Sequence, residues 1–176
     1  MKLFVFCTLF LLAYLYCSGV DMLTEIKQDT PVVHLALLQR GDNCLLAYSG
    51  AGGYQEIELV PDAPCGFFRY STDKDARFFQ YPAFHADAVL LVGGGELSAE
   101  EIAQRDRNQY IPHGETCVNS VQGVLLDGDT IYTSHLILRG LSCPNRGLDE
   151  KNYWMIASEY AKSTTRRDKN GVTQHE

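Results

Sequence analysis

An apolar leader followed by four cysteines constrains this chain more than any other feature. Met1 and Lys2 precede an apolar run from Leu3 to Tyr16, which breaks at Cys17-Ser18-Gly19 before the polar stretch Asp21 to Thr30. A charged start, an apolar middle and small residues at the end are the pattern of a secretory signal peptide, expected over residues 1–19. The run falls short of the roughly 20 apolar residues that a membrane span needs. Cleavage there removes Cys7 and Cys17 and leaves Cys44, Cys65, Cys117 and Cys143 in an oxidising compartment, so two disulfides are expected. Four cysteines allow three pairings, and their spacing does not choose among them.

The secreted part, about 157 of the 176 residues, has the size of one domain. It is expected to span residues 20–162, with residues 163–176 as a disordered polar tail. The formal charge of −7 becomes about −8 once Lys2 is removed, and an acidic surface repels phosphate backbones, so DNA is not an expected partner. No second apolar segment is long enough to anchor the mature chain, and a monomer is expected. The cysteines form no Cys-x-x-Cys pair, and only His113 stands a few residues from one of them. That spacing does not suit structural zinc, and neither metal nor cofactor is expected.

Local patterns point to an α+β fold around a central antiparallel sheet with one or two helices. Val32 to Gln39 and Leu45 to Tyr48 are apolar runs separated by the turn Gly41-Asp42-Asn43. Tyr54 to Val60 alternates as a half-buried strand does, and Pro61 and Pro64 end it. Phe67 to Tyr70 and Arg77 to Phe84 are aromatic strand candidates flanking a polar turn. Ala88 to Val92 is continuously apolar and predicts a buried strand. Ser98 and Glu101 form a capping box that predicts a helix from Ala99 to Arg105. Asp127-Gly128 between Val121–Leu126 and Ile131–Leu138 is a strong hairpin signal. Leu148 to Lys162 predicts a second helix, with Tyr153, Ile156, Ala157 and Tyr160 on one side.

Most catalytic signatures are missing from the chain. Gly93-Gly94-Gly95 before a helix invites a phosphate cradle, but no Lys-Ser/Thr follows, and Glu96, Glu100 and Glu101 already hold the anion-attracting end. There is no His-Glu-x-x-His and no Gly-x-Ser-x-Gly. Glu56 and Glu58 share one strand face, which is more often a solvated edge than a glycosidase pair.

One ordered pattern is more specific. Phe78-Phe79-Gln80-Tyr81-Pro82, the glycine run 93–95, Val121-Gln122-Gly123-Val124, His135 on the next strand and a final Cys143 occur in that order. This order resembles the small secreted guanyl-specific ribonucleases of fungi. In that family an aromatic-Glu-aromatic-Pro strand carries the general base, an Arg on a later strand binds phosphate, and a His on the strand after it is the general acid. The resemblance implies a ribonuclease-like sheet, pairs Cys44 with Cys143 and Cys65 with Cys117, and likens Gly53-Tyr54-Gln55 to the end of the family's helix. It covers about half of the mature chain. His135 matches the acid, but Gln80 stands at the base and Gln122 at the cation, and a neutral amide replaces neither. No counterpart of the family's first active-site His is present.

A ribonuclease-like scaffold without its base and cation is similar to the secreted effectors of powdery mildew fungi. The resemblance therefore implies a virulence protein, translocated into a host cell, that binds a host protein or RNA without cleaving it. Two other readings stand beside it. One is an active ribonuclease on single-stranded RNA, with Glu56 or Glu58 as base, Arg69 or Arg77 on phosphate and His135 as acid. The other is a secreted carbohydrate- or protein-binding module using its tyrosines, ten in the full chain and eight after the leader.

Overall fold

A computed structural model describes residues 23–26, 33–50, 52–69, 75–108 and 110–171. The expected leader at residues 1–19 lies outside them. The protein is α+β, with two antiparallel sheets, two helices and two disulfides. Strands β1 (Leu23–Ile26), β2 (Val33–Arg40), β3 (Asn43–Gly50) and β4 (Gly53–Asp62) form a meander in chain order. The second sheet is built on β7 (Ala86–Glu96), which pairs on one side with β8 (Val118–Asp127), itself paired to β9 (Thr130–Ser142). Two short strands, β5 (Cys65–Phe67) and β6 (Phe78–Tyr81), share the other side of β7. Helices α1 (Ala99–Arg105) and α2 (Glu150–Gly171) complete the fold.

Strand β7 explains why Ala88 to Val92 is apolar without alternation. Ala88, Leu90 and Val92 face the meander, where they meet Leu35, Leu37, Leu46 and Leu59. Val89 and Leu91 face the opposite way and join Tyr153, Ile156 and Ala157 of α2. A strand covered on both faces gains nothing from polar alternation, and each large side chain it buries contributes about 1.5–3 kcal/mol. The layers are therefore meander, central sheet and helix.

Two glycines mark the closest approaches between layers. A Cβ on Gly94 would stand 2.3 Å from the backbone oxygen of Asp62, where the end of β4 crosses the central sheet. One on Gly123 would stand 2.6 Å from Ile156 of α2. The run 93–95 thus serves packing: Gly93 lies against Phe68 and Val118, and Gly95 has φ +69° beside Asn119.

Several local expectations hold. The β8–β9 hairpin turns at Gly128-Asp129, directly after Asp127, with Gly128 at φ +55° and its N–H donating to Asp87 at 2.8 Å. Helix α1 begins with the capping box: Ser98 Oγ accepts from the Glu101 N–H at 3.2 Å, and Glu101 Oε2 accepts from the Ser98 N–H at 2.9 Å.

Others are corrected. The bridges are Cys44–Cys65 and Cys117–Cys143, not Cys44–Cys143 and Cys65–Cys117. Each observed bridge closes an antiparallel excursion. Strand β4 returns so that Asp62 lies opposite Asn43 and the Ala63 N–H donates to Asp42, which carries Cys65 back to Cys44. Likewise Ser142 returns opposite Val118, setting Cys143 beside Cys117. The loops of 21 and 26 residues correspond to about 3.3 and 3.5 kcal/mol in the chain-entropy account. Gly53-Tyr54-Gln55 opens β4 rather than ending a helix. The expected strand Arg77–Phe84 is shorter, because Pro82–Phe84 turns into a 3-10 helix. Helix α2 runs to Gly171, past the expected end at Lys162 and through most of the segment whose polar composition suggested a disordered tail. No helix among the described residues is long and apolar enough to cross a membrane.

Candidate functional site

The β8–β9 ladder slips at the residues singled out in the sequence. Gln122 pairs with Ile137 and Val124 with Thr133, so β9 carries two extra residues and bulges at Ser134-His135-Leu136. Backbone groups freed by a bulge need other partners. Gln122, only 4% exposed, supplies one: its Nε2 donates to the Ser134 carbonyl at 2.9 Å. Its Oε1 accepts the Val60 N–H of β4 at 2.8 Å. The amide is thus a strut joining the bulge to the meander. Glu159 of α2 supplies another, its carboxylate accepting from the His135 N–H at 3.1 Å and from the Ser134 hydroxyl, and Ser134 Oγ accepts from the Leu136 N–H at 2.9 Å. His135 is exposed on the bulge, its ring edge-on to Tyr132 at 6.1 Å.

Gln80 is not brought to this place. It is exposed on β6, opposite the Asp87–Ala88 step of β7, whereas Gln122 lies across β7 at Val92. Four residues along a strand is about 13 Å, and two strand spacings add about 9.5 Å sideways. The structure therefore joins Gln122 and His135 through the bulge and leaves Gln80 in a separate neighbourhood.

Of the alternative catalytic groups, Glu56 and Arg77 are committed elsewhere. The Tyr54 hydroxyl donates to Glu56 at 2.8 Å and the Arg40 guanidinium donates at 3.0 Å. The Tyr54 hydrogen bond first, and Arg40 second, hold the Glu56 carboxyl below its usual range, which weakens it as a base. The same bond pushes the Tyr54 phenol up. Arg77 lies over the Phe79 ring at 4.5 Å and donates to the Leu148 carbonyl at 3.1 Å, in the packing between β6 and α2. Glu58 is exposed on β4, two residues before the Val60 that meets Gln122.

Open space lies at the other end of the central sheet. A cleft of about 470 Å³ lies between β2, β5 and the chain after β9, with Leu37, Phe67, Val118, Arg69 and Asn145 in its walls. A second, of about 580 Å³, lies between α1 and residues 106–116. Leu97, Ile102, Ile111 and Pro112 line it, together with Asp106 and Glu115. The two clefts meet at Glu96 and Thr116, which line both. Their shape is held from several sides. Asp106 accepts the Ile111 N–H at 2.6 Å, Arg146 donates to the Tyr110 carbonyl at 2.7 Å, and the Leu97 N–H donates to the Cys117 carbonyl at 2.9 Å.

Sequence reasoning missed these clefts. The capping box located α1, but nothing local shows that residues 106–116 fold back against it. Among the described residues no group of three or more His, Cys, Asp and Glu side chains is placed to hold a metal ion. Compared with protein-family models, with curated proteins and with solved structures, the chain matches none.

Proposed function

We propose that this is a secreted, effector-type binding protein that engages a host protein through the paired clefts at the disulfide-bonded end of its central sheet, and does not cleave RNA. The observation that carries this reading is Gln122, a buried side chain whose amide oxygen and nitrogen are both already bonded within the protein. At the place where the ribonuclease resemblance requires a cation, this chain has a structural strut. The acidic chain adds to the preference for a protein partner over RNA, because net negative charge lowers the approach rate and affinity of phosphate backbones. Two local disulfides suit an oxidising destination, and the apolar leader gives the route to it. Host-cell entry and the fungal origin rest on the resemblance in the short motifs.

Incubation of the mature chain with total RNA, beside the His135→Ala variant, tests the proposal. Neither protein is expected to cleave above buffer, and a labelled single-stranded RNA is expected to bind neither at physiological salt. Cleavage by the wild type that His135→Ala abolishes would overturn the reading and direct the search for a base to Glu58.

A further inference from the structure

We infer that the cleft between α1 and residues 106–116 receives a lysine or arginine side chain of the partner protein, a step that rests on the binding reading above. Three carboxylates line it, from Glu96, Asp106 and Glu115, against one guanidinium, Arg107. One oxygen of Glu115 is buried and has no hydrogen-bond partner among the described residues. Burying a carboxylate oxygen without a donor is unfavourable, and the charge spreads over both oxygens, so a cation seated against the other oxygen relieves it.

The walls suit the rest of such a side chain. Leu97, Ile102 and Ile111 offer apolar surface for the methylene stem of Lys or Arg, whose charged head then meets the acids. At about 580 Å³ the space admits a short stretch of chain around that residue. Tyr110, 73% exposed beside Ile111, offers an aromatic contact of the kind enriched in protein interfaces. A metal ion is a poorer occupant, since among the described residues the acids are not grouped as ligands.

The test uses the mature, disulfide-bonded chain and capped tripeptides Leu-Lys-Leu, Leu-Arg-Leu, Leu-norleucine-Leu and Leu-Glu-Leu, followed by amide chemical shifts. The two cationic peptides are expected to shift amides in the 96–116 region with a Kd on the order of 1 mM. Binding should weaken at least about threefold between 0.05 and 0.5 M salt, as an ion pair at a partly exposed site does. Glu115→Gln should weaken it at least about fivefold, while Glu56→Gln, on β4, leaves it unchanged. If Glu115→Gln does not fold, the exposed Glu96→Gln serves, with a smaller loss expected. Equal binding of the norleucine peptide, shifts confined to another surface, intact binding by the Glu115→Gln or Glu96→Gln protein, or no shift with either cationic peptide would overturn the inference. Ribonuclease activity in the wild type would sink the binding reading instead, and the peptide titration would still be readable.

Discussion

At the β9 bulge, Gln122 and Glu159 answer the polar groups that the extra residues leave unpaired. At the α1 cleft, a buried oxygen of Glu115 is answered by no described group. Both places interrupt regular structure, and both hold residues with chemical potential. The bulge carries a histidine, a serine and a glutamate in close reach, the usual material of a catalytic site. Yet Ser134 and Glu159 bond each other and the backbone around them, and Gln122 ties the bulge to the opposite sheet. The cleft has a less suggestive sequence and keeps a buried carboxylate oxygen without a described donor beside open volume. An inventory of residue types ranks the bulge higher; an account of which groups are already bonded ranks the cleft higher.

The largest expected effect is at the bulge. Gln122→Ala removes the partners of the Val60 N–H, in a part-buried place, and of the Ser134 carbonyl, in a buried one. Two unsatisfied groups at roughly 1–3 kcal/mol each predict a loss of about 3 kcal/mol, read as a lower midpoint in urea unfolding. A change within about 0.5 kcal/mol would show that the amide is not a strut, and would reopen position 122 as a site residue.

A smaller effect is expected where α1 forms the cleft wall. Ser98→Ala removes the N-cap and should cost about 1 kcal/mol. The bonds from the Ser98 backbone N–H and from its side chain, then the nearby Arg105, hold the Glu101 carboxyl below the usual carboxylate range. A carboxyl lowered on folding contributes stability that is fully present above about pH 4.5 and is lost as the pH falls through the folded value. Glu101→Gln should therefore flatten stability below about pH 4.5 relative to the wild type. An acid limb of unchanged slope would mean that the capping box does not form in solution.

The smallest effect sharpens the contrast. Glu115→Gln should change stability by no more than about 0.5 kcal/mol, or raise it, because the buried oxygen of Glu115 accepts no hydrogen bond from a described group. A loss of about 2 kcal/mol in thermal unfolding would show that the protein itself uses this carboxylate, and the cleft would then resemble the bulge.

What was legible in the sequence was local. Ser98 and Glu101 lie three residues apart, and Asp127-Gly128 occupies adjacent positions, so capping and turn chemistry specify them within a few bonds. The apolar run Ala88–Val92 likewise announced a strand buried on both faces. The glycine run was visible too, but its reason was not. Gly94 is required by Asp62, 32 residues earlier, and Gly123 by Ile156, 33 residues later. Misreadings followed the same division. The β9 bulge is invisible in a pattern of apolar positions, because inserted residues such as Ser134 and His135 are ordinary strand residues until their partners are known.

Fold class and most element types follow from this chain's order of residues, since hydrophobic period, caps and tight turns act over a few neighbours. Disulfide partners, the strut at Gln122 and the cleft at Glu115 do not. Each depends on which distant backbone comes within bonding reach: β4 returning Cys65 to Cys44, the bulge meeting Val60 through one amide, and residues 106–116 closing over α1. Those distances are set by how two sheets and a helix pack around β7, a cooperative outcome of the whole core that no short window of sequence contains.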